Sequence, residues 1–151
     1  MTGQISIVDA SPRPIAVVRV TTSLAKWPSQ FRHELDKVYA AVHAGHVPQS
    51  GQNVMVYRPR DDGQVDIECG IETRARFEPI GEVVYRETPS GLAVTTAHLG
   101  SYEQLGRSYR AAKEWSRQNG YRLKGTVWEV YGDWDDDPAN LRTDIFLLVR
   151  Q

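Results

Sequence analysis

Apolar and polar positions along this chain follow a period of two over most of its length and a period of three to four in two stretches. Residues 15–22 are rich in β-branched side chains and read as a strand. Beyond Pro28, which suits the first turn of a helix, Phe31, Leu35, Val38 and Val42 recur at helical spacing. Gly45 and Pro48 end that helix. Strands at 53–58 and 64–70 follow, joined by the turn Pro59-Arg60-Asp61-Asp62-Gly63. Residues 71–79 read as a polar connection and 82–87 as a further strand, and the turn Pro89-Ser90-Gly91 leads into a strand at 92–98. The second helix starts at Ser101, with Gln104 placed for a capping box. It carries Leu105, Tyr109, Ala112 and Trp115 or Ser116 inward and stops at Asn119-Gly120. A strand at 126–131, an acidic loop at 133–138 and a last strand at 143–150 complete the pattern. Residues 1–11 form a short, weakly apolar arm suited to a sheet edge.

That order repeats. Shifted by 74 positions, Val20-Thr21-Thr22 falls on Val94-Thr95-Thr96, and Gln30 falls on Gln104. Phe31, Leu35 and Val38 fall on Leu105, Tyr109 and Ala112, Gly51 falls on Gly125, and Val56-Tyr57 falls on Val130-Tyr131. After a longer second turn, Asp66-Ile67 matches Asp144-Ile145. Agreement of element order, helix face and strand register predicts an α+β domain of two βαββ repeats related by a pseudo-twofold. Repeat one spans about 12–70, the linker 71–90 and repeat two about 91–151. The expected architecture is an antiparallel sheet with both helices on one face and a ligand groove on the other.

At 151 residues the chain is long enough for one domain with a sizeable core. Its net charge of −1 and the absence of any Lys or Arg run give no surface built for phosphate backbones, so no direct nucleic-acid binding is expected. A single cysteine, Cys69, forms no internal disulfide and suggests a reducing compartment. No apolar run reaches membrane-spanning length, and the first ten residues lack the features of an export signal. The expected location is the cytoplasm.

The strand at 126–131 carries the chemistry. Alternation puts Trp128 and Val130 on one face and Val127, Glu129 and Tyr131 on the other. Trp128 and Val130 correspond to Val54 and Val56, which predicts the helix-covered core side. Glu129 and Tyr131 correspond to Met55 and Tyr57, which predicts a groove floor with one carboxylate among aromatics. Burial there raises the pKa of an acid, and a bound cation lowers it again. Glu129 is read either as counter-ion to a cationic aromatic ligand, with the π-faces of Tyr57 and Tyr131 alongside, or as an acid satisfied internally by Arg19, Arg142 or a tyrosine hydroxyl. Tyr102 and Trp27, at the two helix entrances, stand either at the groove mouths or as half-exposed staples. Phe77 and Tyr85 form a lid or cover a sheet edge.

Four features together resemble the GyrI-like small-molecule-binding family, the effector-binding domain of bacterial multidrug-sensing transcription regulators. They are Pro12-Arg13-Pro14 before the first strand, His98-Leu99-Gly100-Ser101-Tyr102-Glu103-Gln104-Leu105 opening the second helix, and Trp128-Glu129-Val130-Tyr131, with Arg142-Thr143-Asp144-Ile145 closing the chain. The resemblance covers residues from about 12 to the C-terminus. It implies a duplicated βαββ fold that binds bulky, often cationic aromatic compounds, with the family's buried glutamate on Glu129. Such domains occur fused to DNA-binding domains, free-standing, as gyrase-protecting proteins and as hydrolases of strained electrophiles. Before Pro12 there is no length for a helix-turn-helix, which points to a free-standing member.

The expected ligand site is therefore Glu129, Tyr131, Tyr57, Met55 and Tyr102, with no metal and no cofactor. The competing reading is a hydrolase with Glu129 as general base, and a third is a partner of gyrase or of a separate regulator. No nucleophile elbow or Gly-rich phosphate loop is present. The run Asp133, Asp135, Asp136 and Asp137 lacks the ligand spacing and central glycine of a calcium loop and reads as a solvated turn. His43 and His46 suit a helix C-terminus, without a third metal ligand. His98 is placed either in the structure or at the groove edge.

Overall fold

The computed structural model of the protein describes residues 1–151. In chain order its elements are β1 (Ser6–Ala10), β2 (Pro14–Thr22), α1 (Trp27–His43), β3 (Gln49–Pro59), β4 (Val65–Thr73), β5 (Val84–Glu87), β6 (Gly91–Leu99), α2 (Leu105–Gln118), β7 (Leu123–Tyr131) and β8 (Arg142–Val149). Within each of the two units every strand pairing is antiparallel, as expected of an α+β fold. The chain divides into two compact units, Pro12–Thr88 and Met1–Ser11 with Pro89–Gln151.

The Pro12–Thr88 unit is a four-stranded sheet, β3-β4-β2-β5, with α1 on one face. α1 takes Pro28 in its first turn and buries Trp27, Val38 and Ala41, while Phe31, Leu35 and Val42 are half-buried. Trp27 is therefore core rather than a mouth residue, 6.4 Å from Phe31. The helix lies over the Asn53, Met55 and Tyr57 side of β3, because the Tyr39 hydroxyl donates to Asn53 Oδ1. β4 runs three residues further than the sequence pattern predicts. Ile71, Glu72 and Thr73 are buried strand rather than connection. The polar residues are tolerated there because Glu72 accepts from the Gln52 amide at 3.0 Å and pairs with Arg13 at 3.3 Å, and the Thr73 hydroxyl donates to the Pro48 carbonyl. At Gly70 a Cβ would lie 1.8 Å from the Ala16 carbonyl oxygen, so only glycine fits between β4 and β2.

The other unit is the sheet β1-β6-β8-β7, covered by α2. Residues 6–10 take the edge place the arm suggested, pairing with β6. The capping box at Ser101 does not form. A 3₁₀ turn, Tyr102–Gln104, precedes α2, and the Gln104 amide bonds the Ser101 carbonyl instead of the Ser101 side chain. α2 buries Ser108, Ala112 and Ser116, small residues that let its axis lie close to the sheet. Its core is Val94, Ala112, Ile145, Leu147 and Val149, with Leu105, Tyr109, Leu123 and Val127 packed against it.

Val127 in that core fixes which face of β7 lies under α2, and it is the opposite of the sequence expectation. Val127, Glu129 and Tyr131 face the helix. Trp128 is buried on the far side, stacked on Phe146 with centroids 5.0 Å apart. The hairpin correspondence also shifts by two residues. Tyr57 pairs with Ile67 and Tyr131 with Thr143, so Asp144 matches Glu68 rather than Asp66. A two-residue shift keeps every side chain on its face.

Candidate functional site

Glu129 sits near the end of β7 and is only 5% exposed. Tyr109, one turn below Leu105 on the inward stripe of α2, donates its hydroxyl to Glu129 Oε2 at 2.6 Å. Tyr131, two residues along β7 and hence on the same face, donates to Oε1. Both oxygens of the Glu129 carboxyl group thus meet a phenol hydroxyl, and a phenol is a donor that carries no positive charge. The ring of Tyr102, in the 3₁₀ turn before α2, meets Tyr131 edge to face at 5.6 Å. Tyr102 is 37% exposed, and partial burial raises its hydroxyl pKa above the ordinary range.

Of the predicted site residues, Glu129, Tyr131 and Tyr102 are thus gathered in one unit, and Tyr109 joins them. Helical spacing places Tyr109 inward but gives it no role. The signal that could have found it is its hydroxyl, which on a core-facing stripe needs a buried acceptor. Met55 and Tyr57 lie on β3 of the other unit, where the Tyr57 hydroxyl donates to Met55 Sδ at 3.3 Å. The two arginines considered as partners for Glu129 are engaged elsewhere. Arg142 pairs with Asp144 at 2.9 Å, and Arg19 lies 4.0 Å from Glu68.

The remaining candidates have structural roles. His98 is 1% exposed; its Nε2–H donates to the Ser101 carbonyl at 2.9 Å, which leaves Nδ1 to accept from the Ser108 hydroxyl at 2.7 Å. Ser108 then accepts from Thr2, which ties the N-terminal arm to α2. Cys69 is fully buried, and burial, with a smaller contribution from the charge of Glu34, pushes its thiol up to about 12. The acidic run folds as a turn. Asp135 accepts from the Asp137 amide and Asp137 from the Ala139 amide, which opens a short 3₁₀ segment at Pro138–Asn140. Phe77 and Tyr85 contact edge to face at 6.2 Å beside the edge strand β5. No helix is long and apolar enough to cross a membrane.

The structure thus combines a duplicated strand–helix–strand–strand topology with a buried, tyrosine-held carboxylate. The chain belongs to the GyrI-like small molecule binding domain family, whose model matches residues 3–150. Curated proteins give no sequence match. Among solved structures, the C-terminal domain of EcmrR matches with a TM-score of 0.79 at 17% identity over 98% of each chain. EcmrR in its complex with DNA matches at 0.76 and 19% identity over 98% of this chain and 57% of that one, so this chain spans little more than half of the longer protein. SAV2435 bound to tetraphenylphosphonium matches at 0.70 and 12% identity over 97% and 94%. At these identities the likeness is one of fold.

Proposed function

We propose that this small-molecule-binding domain takes bulky aromatic cations, with Glu129 as the charge partner. The observation that carries the reading is the pair of tyrosine hydroxyls, Tyr109 and Tyr131, on the two oxygens of one buried carboxylate. They hold the carboxyl group in one orientation, and a phenol donor stabilises a carboxylate without itself adding positive charge. A desolvated carboxylate favours a diffuse organic cation over a small hydrated ion, because a large cation has little hydration to lose. The edge-to-face pair Tyr102 and Tyr131 supplies aromatic surface next to the acid, where a cation gains from the ring quadrupole. That one relative of the same fold is bound to tetraphenylphosphonium supports this chemistry.

The test is equilibrium binding of tetraphenylphosphonium and of a neutral compound of the same shape. Saturable uptake of the cation, with the neutral compound at least ten-fold weaker, is expected. Equal affinity for the two would remove the charge from the account. The hydrolase reading separates by incubation with excess strained electrophile. Repeated turnover that Glu129→Gln abolishes would make Glu129 a general base, and binding without turnover is expected.

A further inference from the structure

The arginines that look scattered in sequence converge in the Pro12–Thr88 unit, on the sheet face turned away from α1. Glu68 of β4 is buried there, its side chain 5% exposed. Arg58 Nη1 of β3 donates to its Oε1 at 2.6 Å, Arg86 Nε of β5 donates to Oε2 at 2.9 Å, and Arg19 Nε of β2 lies 4.0 Å from Oε2. Register puts these groups on one face: Arg19 is the cross-strand partner of Glu68, Arg58 of Asp66, and both Arg86 and Glu72 of Ile15. Of the nearby acids, Glu72 has Arg13, while Asp66 and Asp62 share Arg60. Glu68 alone has three.

One guanidinium would balance a buried carboxylate. Counted with the neighbouring acids Glu72, Asp66 and Asp62, the five arginines of these ion pairs leave a surplus of one positive charge, and the side chains of Arg19, Arg58 and Arg86 are 62%, 37% and 45% exposed. Each guanidinium carries five donors in a rigid fork. Those not used on Glu68 are presented to solvent, by Arg58 and Arg86 side chains that the acid orients through hydrogen bonds and by the more loosely held Arg19. Fixed forks with surplus positive charge match the geometry of phosphate oxygens. Arg86 also lines an open hollow of about 330 Å³ with Arg76, Tyr85 and Glu87, and the Arg76 guanidinium sits 4.7 Å over the Tyr85 ring. The hollow opens at the β5 edge and touches Arg86 alone of the three, so the organic body of a monoester held by Arg86 would extend towards the Tyr85 ring.

We infer that Arg19, Arg58 and Arg86 form a second ligand site, separate from the Glu129 cluster, for a compact phosphate-class dianion oriented by Glu68. The dianion is supplied either as inorganic phosphate or as an organic phosphate monoester. Glu68 is a positioning residue, and the arginines make the contacts.

Isothermal titration at low ionic strength tests this with inorganic phosphate and phenyl phosphate. One saturable site per chain is expected, with phenyl phosphate binding at least as well as phosphate. Arg19→Met keeps the aliphatic stem and removes the guanidinium least engaged with Glu68, so the fold survives and both ligands weaken at least ten-fold. Arg86→Met provides a second reading with the same direction. Arg60→Met, on the same face but balanced by its own acids, leaves both affinities within two-fold. Absence of saturable binding overturns the site. Equal weakening by Arg19→Met and Arg60→Met overturns it in favour of diffuse surface charge, and binding of a DNA duplex but neither small anion overturns it in favour of a polyanion surface.

Discussion

Replacing Glu129 with glutamine removes the charge and keeps the shape. The new side chain still offers a carbonyl oxygen to one tyrosine, and its amide can donate to the hydroxyl of the other, so Tyr109 and Tyr131 remain satisfied. The loss therefore falls on the ligand charge. A cationic centre about 5 Å from the carboxylate, at an effective dielectric of about 20, gains about 3 kcal/mol of attraction. Desolvation of the cation offsets part of that, leaving a net loss of about 2 kcal/mol, roughly thirty-fold in affinity. A neutral ligand of the same shape should change by less than two-fold. Fluorescence titration of wild type and Glu129→Gln with a cationic dye and its neutral analogue reads both numbers, with urea unfolding as the control for folding. Equal losses for the two ligands would refute the electrostatic reasoning and leave Glu129 as a shaping residue.

Three further outcomes follow from the packing. Tyr109→Phe removes the 2.6 Å donor to Glu129 and should lower unfolding stability by about 1–3 kcal/mol in urea melts. Gly70→Ala forces a methyl against the Ala16 carbonyl and should cost about 4 kcal/mol or more, read as a collapse of the thermal midpoint or of soluble yield. The Cys69 thiol should resist aromatic disulfide reagents at pH 8 in the native protein and react fully in denaturant. Because its folded pKa of about 12 lies above the unfolded value, the folded state keeps a proton that the unfolded state releases. The contribution of Cys69 to stability is therefore complete below about pH 8.5 and falls by roughly 1.4 kcal/mol per unit above it, until the folded thiol itself ionises. Cys69→Ala should remove that share of the slope between about pH 8.5 and 10, below the range in which the tyrosines titrate.

The elements and the duplication were legible because periodicity is a local property. Residues 15–22, the inward stripe of α2 and the β7 run all fall where their spacing puts them. The face of β7 was not. Alternation sorts Trp128 from Glu129 but does not say which set meets the helix, and the correspondence of Trp128 and Val130 to the apolar Val54 and Val56 points to the wrong one. The structure gives that side to Val127 and Glu129, since α2 presents small residues, Ser108, Ala112 and Ser116, together with a tyrosine whose hydroxyl needs an acceptor. Residues 71–73 looked like a loop because Glu72 and Thr73 are polar. Their partners, Arg13, Gln52 and Pro48, are remote in sequence. The arginine cluster was hidden for the same reason, with Glu68 and its three partners lying on four different strands.

The most direct test of the central claim is the crystal structure of the protein with tetraphenylphosphonium bound. The account predicts the cation against Tyr102 and Tyr131, its charged centre within about 6 Å of a Glu129 carboxylate that still accepts from Tyr109. A cation seated elsewhere, with Glu129 and its tyrosines unmoved and out of reach, would contradict it.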